Sequence, residues 1–244
     1  MKVINDLGEF GFLVWQVVRR LGTTWHQRKR LVAQMEHMGV HSLPLVLIVG
    51  IFSGAIIAWQ AAYQFRGMVS LNVMGGQVAR VVFMEMAPVL TALVISGRIG
   101  ASMTAELGTM KISQQLDALR CMGIDPISFL VIPRVVALIL MMPVLTFFAL
   151  VISLLGAYAV SDYFLDITRQ QFFQSIQDFF QLSDLTGGLI KSMVFGATIA
   201  FTGCFVGITA TGGAAGVGKA TIRSFVLSAI SILAGDFLLW IILF

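Results

Sequence analysis

Residues 42–65, SLPLVLIVGIFSGAIIAWQAAYQF, contain no charged side chain. An α-helix needs about 20 apolar residues to cross the hydrocarbon core of a bilayer, and this stretch is long enough to do so. Four further apolar runs follow it along the chain. The sequence therefore predicts an all-α membrane protein with five spanning helices, at residues 42–66, 77–103, 127–158, 183–211 and 221–244.

The composition excludes a water-soluble globular protein. Hydrophobic residues make up 58% of the 244 residues and charged residues 11%, whereas soluble domains carry about 25% charged residues. The net charge of +4 comes from Lys and Arg residues that are spread between apolar runs and form no continuous basic face, which argues against nucleic-acid binding. With no internal repeat and no low-complexity tract, residues 1–244 are predicted to form a single domain.

The distribution of basic residues predicts the orientation in the membrane. With a cytoplasmic N-terminus, twelve Lys and Arg residues fall on the cytoplasmic side and four on the outer side, which agrees with the positive-inside rule. The four outer residues are Arg66, Arg80, Arg169 and Lys191. An odd number of spans then places the C-terminus on the outer side.

Residues 1–41 are predicted to form interfacial and elbow segments before the first span. Apolar side chains recur at helical spacing over residues 3–20 and face a polar side, which is typical of a helix lying in the membrane interface. A helix packed on a soluble partner is the alternative. The polar stretch 25–41, with Arg28, Lys29 and Arg30, is predicted to lead into the first span.

Two polar connections have helical character. Residues 104–125, on the cytoplasmic side, alternate apolar and charged side chains at helical spacing, and Gly123 and Pro126 are expected to end that helix. Residues 163–183, on the outer side, carry aromatic residues with a similar period.

Two acidic residues lie inside predicted spans. An ionisable side chain in a span costs about 3 kcal/mol on insertion scales, so Glu85 and Asp236 are expected to face protein or water. Each is either part of a polar pathway that contacts a headgroup or one half of a structural pair with a Lys or Arg. The sequence leaves both readings open for Glu85 and favours the structural one for Asp236.

Three other patterns carry weaker signals. Residues 213–220, GAAGVGKA, resemble a phosphate-binding loop but have Ala220 where magnesium needs a hydroxyl, so a turn between spans is expected instead. The GxxxG patterns Gly50–Gly54 and Gly203–Gly207 favour close helix packing or a homodimer. Neither the cysteines nor the histidines form a catalytic or metal-binding set, so no catalytic residue and no metal site are predicted.

A long series of motifs follows Glu85. It contains SGRIGASMTAELGTM at 96–110, QLDAL at 115–119, MGIDP at 122–126 and PR at 133–134. This series closely resembles the MlaE (YrbE) family of permeases. KATIRSF at 219–225 and GDF at 235–237 extend the resemblance over nearly the whole chain.

The resemblance implies a permease subunit in the inner membrane of a double-membraned bacterium. Such subunits form the homodimeric core of an ABC transporter that moves phospholipids between the inner and outer membranes and maintains outer-membrane lipid asymmetry. The implied partners are a separate ATPase (MlaF-like) that binds ATP and magnesium, a periplasmic MCE-domain protein (MlaD-like), and often a STAS-domain subunit (MlaB-like). The chain itself is expected to bind no cofactor and to catalyse no reaction.

The same resemblance assigns two sets of residues. The segment from Thr104 to Met122 is implied to be a coupling helix that fits the ATPase, with the contact residues Glu106, Leu107, Met110, Gln114, Gln115, Asp117 and Arg120. We also hypothesise a lipid pathway between protomers, where the end of the first span meets the start of the second. Its residues are Ile57, Trp59, Gln60, Tyr63, Arg80, Phe83, Met84 and Glu85.

Two other functional classes remain as alternatives. An ion-coupled secondary transporter would use buried acidic residues such as Glu85 and Asp236, although the chain shows no repeat and five spans do not divide evenly. A scaffold for other envelope components is the second alternative. Transport that depends on ATP would indicate the ABC transporter, and transport driven by an ion gradient would indicate the secondary transporter. Loss of assembly, with no lipid bound, would indicate the scaffold.

Overall fold

The prediction of an all-α membrane protein is confirmed. The computed structural model describes residues 2–20, 28–64 and 74–243, and the side chains from residue 8 onwards within those ranges; this part of the chain contains no strand. It has five helical stretches long and apolar enough to cross a membrane. They are Arg28–Gln64, Met74–Ile112, Ile127–Leu165, Leu182–Ile208 and Gly213–Leu243.

Several of these stretches are divided into shorter elements. The α-helices are α1 (Lys2–Arg19), α2 (Arg28–Met38), α3 (Leu43–Gln64), α4 (Met74–Val81), α5 (Ala87–Ile95), α6 (Ala101–Ile112), α7 (Gln115–Cys121), α8 (Ile132–Leu165), α9 (Arg169–Phe179), α10 (Leu182–Ile208) and α11 (Gly213–Leu243). A 3-10 turn, Val40–Ser42, precedes α3. Three π-helical segments interrupt the α-helices: a first at Val82–Met86, a second at Ser96–Gly100 and a third at Ile127–Val131.

Some predicted features fall outside the described residues. These are Arg66 at the end of the first predicted span, the elbow residues 25–27, and the side chains of residues 3–7 in the predicted interfacial helix. In the described part of α1, Leu13 and Val17 are buried while Phe12, Trp15 and Val18 are exposed. The helix thus has one apolar face packed on protein and a second left uncovered, and its placement in the membrane interface stays a prediction.

The chain forms two compact units. The first comprises residues 1–41, 95–141 and 194–235, and the second comprises residues 42–94, 142–193 and 236–244. In the first unit, α6 and α10 lie against each other at small residues. The hydroxyl of Thr104 donates to the carbonyls of Gly100 and Gly203, at 2.8 and 3.1 Å, and a Cβ at Gly207 would crowd Leu107 and Thr104.

The second unit contains an equally close contact between α3 and α8. A Cβ at Gly54 would overlap the carbonyl of Ser153, and a Cβ at Gly156 would overlap the carbonyl of Ile51. The Ser153 hydroxyl donates to the Gly50 carbonyl over 2.9 Å. Because small residues let helix backbones approach in an apolar solvent, both GxxxG patterns serve packing within one chain.

The prediction of one helix over residues 104–125 is wrong, because the structure has two helices there. Helix α6 ends at Ile112, and Gln114 has a left-handed backbone with φ 58°. The Ser113 hydroxyl donates to the Thr109 carbonyl at 2.7 Å, which offers the backbone an alternative to continued helix. Helix α7 then begins at Gln115.

The predicted stop after α7 is confirmed and has a defined geometry. Gly123 has φ 74°, its N–H donates to the Arg120 carbonyl, and the N–H of Ile124 donates to the Leu119 carbonyl. These are the two hydrogen bonds of a Schellman motif, which needs glycine at the left-handed position.

The next helix starts immediately at the MGIDP motif. The Asp125 carboxylate accepts from the backbone N–H of Ser128 at 3.1 Å and from its hydroxyl at 2.7 Å, and it pairs with Arg20, the residue after α1. Burial alone raises the pKa of the Asp125 carboxyl, but the hydrogen bonds from Ser128 and the charge of Arg20 outweigh it and hold the pKa below its ordinary value. Pro126 suits the first helical position because it lacks a donor there.

Residues 213–220 do not form a phosphate-binding loop. Gly212 and Gly213 have φ values of 92° and 67° and make the predicted turn between the last two spans. Residues from Gly213 onwards, including Lys219, belong to α11, which therefore begins eight residues before the predicted span at 221.

We predict that Gly54→Ala lowers the free energy of unfolding by about 1–3 kcal/mol, because the new methyl group overlaps the α8 backbone. Thermal unfolding in detergent, followed by tryptophan fluorescence, measures the effect. Gly218→Ala in α11 is the matched control, since a Cβ there meets nothing within 4 Å. In a helix that change is expected to stabilise by about 0.5–1 kcal/mol. Equal behaviour of the two variants would contradict the close α3–α8 contact.

Candidate functional site

A buried lysine joins three spanning helices of the second unit. Lys191 of α10 is fully buried. Its Nζ lies 2.8 Å from Glu85 Oε1 in the first π segment and 2.9 Å from Asp236 Oδ1 in α11. It also donates to the Met84 carbonyl at 3.2 Å. The three protons of the ammonium group therefore each have an acceptor. We refer to Glu85, Lys191 and Asp236 as the ion cluster.

Pro88 explains why the Met84 carbonyl is available. In an α-helix, the carbonyl of residue 84 would accept from the N–H of residue 88, and proline has none. The backbone adjusts by a π turn, in which the Ala87 N–H donates to the Val82 carbonyl five residues back. The ammonium of Lys191 donates to the carbonyl that proline leaves without its helical partner. A local sequence feature thus supplies part of the site.

Gly188 allows α10 to approach this segment. A Cβ at Gly188 would overlap the carbonyl of Phe83. Lys191 lies three residues further along α10, and residues at that spacing share a helix face. The close contact at Gly188 therefore brings the lysine within hydrogen-bond distance of the π segment.

Helix α11 contributes both a carboxylate and an aromatic ring. Asp236 and Trp240 are four residues apart and so lie on one face. The ring centroid of Trp240 is 5.2 Å from Lys191 Nζ, within the range of a cation–π contact. The lysine thus gains a further favourable electrostatic contact in the apolar part of the bundle.

A second ion pair lies near the cluster. Arg80 Nε lies 3.1 Å from Asp184 Oδ2; the arginine side chain is 44% exposed and the aspartate side chain 4%. Both ion groups border one cleft of about 510 Å³. Its lining residues are Gln77, Arg80, Val81, Met84, Glu85, Gln181, Ser183, Asp184, Trp240 and Leu243. The cleft combines apolar walls with charges of both signs.

The charges of the two ion groups do not balance. Among the described residues, two cations and three carboxylates belong to the two ion groups, a formal excess of one negative charge. Lys191 is inaccessible, while the side chain of Glu85 is 30% exposed and that of Asp236 is 18% exposed. Glu85 is the member of the ion cluster that lines the cleft, so the cluster presents a carboxylate there.

The structure brings together only part of the predicted lipid pathway. Arg80, Met84 and Glu85 line the cleft, while Phe83 is buried next to them and makes an edge-on ring contact with Phe180. The four predicted residues of α3 do not line the cleft. Of these, Trp59, Gln60 and Tyr63 are exposed, Ile57 is half-buried, and the Trp59 ring contacts that of Phe164 in α8.

Sequence reasoning missed three contributors to the site. Pairing of Glu85 or Asp236 with a basic residue was one of the two predicted readings and is confirmed, but the partner was not identified. Lys191 was assigned to the outer basic residues, and Asp184 and Trp240 carried no assignment. A lysine within an apolar run was itself a signal, since such a residue requires an acidic partner in the membrane.

The predicted ATPase-contact residues lie on α6, α7 and the turn between them, in the first unit. Leu107 is buried, and Glu106 is 2.9 Å from the buried Arg134 of α8. Asp117 pairs with Arg120 at 3.3 Å and with Lys111 at 3.8 Å. The exposed members of the set include Gln114, Gln115 and Arg120. Contact with an ATPase stays a prediction for all of them.

Metal binding finds no support in the described part of the chain, which holds no group of three or more His, Cys, Asp or Glu side chains arranged for a metal ion. The site consists of ion pairs and hydrogen bonds at the edge of a cleft with apolar walls.

Comparison with known proteins shows that the chain is similar to membrane permeases. A family model described as "Permease MlaE" matches residues 31–242. A probable ABC transporter permease protein of Synechocystis is 40% identical over 228 residues, covering 93% of this chain and 87% of that protein. One from Rickettsia typhi is 38% identical, covering 88% and 83%. The Arabidopsis thaliana chloroplastic protein Trigalactosyldiacylglycerol 1 is 36% identical, covering 91% of this chain and 63% of its own length.

We predict that Lys191→Met destabilises the protein by about 3–5 kcal/mol, because two carboxylates then lack a cation within the spans. Thermal stability by fluorescence-detected size exclusion measures the effect. Lys219→Met, at an exposed position of α11, removes the same charge and is the control.

A variant without charges in the ion cluster distinguishes the contribution of the charges to stability from that of side-chain packing. The triple variant Lys191→Met, Glu85→Gln, Asp236→Asn leaves no unpaired charge and should recover most of the lost stability. A single variant as stable as the native protein, or a triple variant no better than the single one, would contradict the role of the cluster.

Proposed function

The chain belongs to the MlaE permease family, and we propose that it is the membrane subunit of an ABC transporter that moves phospholipids. The observation that carries the proposal is the cleft of the second unit, where charged groups of both signs stand beside apolar walls within predicted spans. A phospholipid has the matching chemistry, a charged headgroup joined to apolar acyl chains. As a permease, the chain is a transport subunit and not an enzyme.

One relative provides a second, independent argument for a lipid substrate. It bears the name of a lipid, trigalactosyldiacylglycerol. We extend this to phospholipid for the present chain because Arg80 offers guanidinium donors at the cleft, and these suit a phosphate group. The apolar lining, which includes Val81, Met84 and Leu243, suits the start of the acyl chains.

ATP hydrolysis is assigned to a partner ATPase (MlaF-like) that binds ATP and magnesium. Helices α6 and α7 form the proposed coupling element, with Gln114, Gln115 and Arg120 exposed for contact. The Glu106–Arg134 pair links α6 to α8, so a displacement of the coupling element would also act on a spanning helix of the same unit. Closure of the ATPase would supply that displacement.

The remaining partners follow from the family resemblance. We propose a homodimer with the lipid pathway between protomers, a periplasmic MCE-domain protein (MlaD-like) and a STAS-domain subunit (MlaB-like). The proposed location is a bacterial inner membrane, with the N-terminus cytoplasmic and the C-terminus periplasmic, as the positive-inside rule predicts. Transport between inner and outer membranes then maintains lipid asymmetry.

The ion cluster also favours a second candidate, an ion-coupled transporter. Acidic residues within spans are the usual binding groups of such proteins. The two functions differ in their energy source, since the ABC reading requires ATP and the other requires an ion gradient across the membrane.

We expect the tagged protein, extracted gently from its native membrane, to copurify with a stoichiometric ATPase, an MCE-domain protein and phospholipid. Mass spectrometry identifies all three. Reconstituted in vesicles, the purified assembly should move phospholipid only with ATP. Isolation of the chain without any ATPase, or transport driven by an ion gradient alone, would contradict the proposal.

We predict that Arg120→Glu reduces ATPase recovery with the tagged protein at least about tenfold, because it reverses a charge at an exposed position of α7. Arg169→Glu makes the same change at an exposed position of α9, on the predicted outer side, and should leave ATPase recovery unchanged. Full recovery by the Arg120 variant would place the ATPase contact elsewhere.

A further inference from the structure

We propose that the cleft distinguishes phospholipids by headgroup charge, favouring a zwitterionic headgroup with a protonated amine over an anionic one. The inference rests on the proposed function, because it concerns the class of phospholipid that binds at the same cleft. It assigns the amine to Glu85 and the phosphate to Arg80, which both line the cleft.

The first step concerns the ion cluster. Lys191 is fully buried and directs its ammonium at three acceptors, so its charge is satisfied inside the protein. Two carboxylates face this one cation, and both keep some exposure, 30% for Glu85 and 18% for Asp236. One cation balances only one of the two carboxylates, and Glu85 is the member of the cluster that lines the cleft, so the cluster presents a negative charge there. A protonated amine complements that charge, and a second anion does not.

The second step concerns Arg80. Its Nε is engaged by Asp184, which is nearly fully buried, while the arginine side chain is 44% exposed and borders the cleft. A guanidinium carries five N–H donors in a planar fork, and the pair with Asp184 is made through Nε. The terminal nitrogens are the group at this cleft best suited to a phosphate.

The third step joins the two groups. Arg80 and Glu85 are five residues apart on one helical stretch, which separates them by about 7–8 Å along its axis. Both side chains border the same cleft. A phosphoethanolamine headgroup carries a phosphate and an amine on adjacent carbons, so its two ends match an arginine and a carboxylate held in this way. A phosphoglycerol headgroup offers the phosphate but leaves the acidic side without a cation.

The test mixes the purified full-length protein with micelles that contain equal amounts of phosphatidylethanolamine and phosphatidylglycerol. Native mass spectrometry then measures the amount and the ratio of the two bound lipids. We expect the native protein to favour phosphatidylethanolamine by about threefold, the size of one partly exposed ion pair. Glu85→Gln and Asp236→Asn should each bring the ratio close to one, since both keep an oxygen acceptor for Lys191 and remove one negative charge.

Two further variants complete the design. Asp178→Asn makes the same chemical change at an exposed position of α9 that does not line the cleft, and it should keep the native ratio. Arg80→Gln should lower the amount of both bound lipids more than it changes their ratio, because both lipids carry the phosphate.

The two proposals fail in different ways. If neither phospholipid binds the native protein, the proposed function is contradicted and the headgroup inference falls with it. If both bind equally, or if Glu85→Gln and Asp236→Asn keep the native ratio, the headgroup inference is overturned while lipid binding stands. An equal change of ratio in Asp178→Asn would also overturn it, because the effect would then come from overall charge.

Discussion

The ammonium group of Lys191 is the constraint on which the second unit depends. A cation inside an apolar bundle is tolerated only when protein groups replace the water it has lost. Three separate features meet that need: the Glu85 carboxylate, the Asp236 carboxylate, and the Met84 carbonyl that Pro88 leaves without its helical partner. The π segment of the second span, the close approach of α10 and the position of the last helix all contribute to one set of hydrogen bonds.

Close backbone contacts make such precise placement possible. Apolar side chains meet lipid tails as favourably as they meet each other, so helices in a membrane are held by packing and polar contacts more than by the hydrophobic effect. Gly188 permits the approach that lets the lysine reach the π segment, and Gly54 and Gly156 permit an equally short distance between α3 and α8. Glycine at these points determines which polar groups can meet.

The fold was more predictable from the sequence than the site. Apolar runs of sufficient length identified all five spans, and Gly123 with Pro126 marked the end of α7, because these signals are local. The break at Gln114 and the π segments were not predicted. Pro88 indicates that one helical hydrogen bond is missing, but a proline alone does not show that a π turn takes its place. The partners of Lys191 were missed because they lie 106 and 45 residues away along the chain, and only the packing of the helices shows which carboxylates a given cation meets.

The two π segments within Met74–Ile112 also change the direction in which the later side chains of this span point around the helix axis. Each adds a residue to the helical ladder, and one residue corresponds to a rotation of about 100° around the axis. A helical wheel drawn through Met74–Ile112 as a single α-helix therefore assigns residues beyond Val82 to the wrong face. The irregular ladder is what gives the acidic residue its direction.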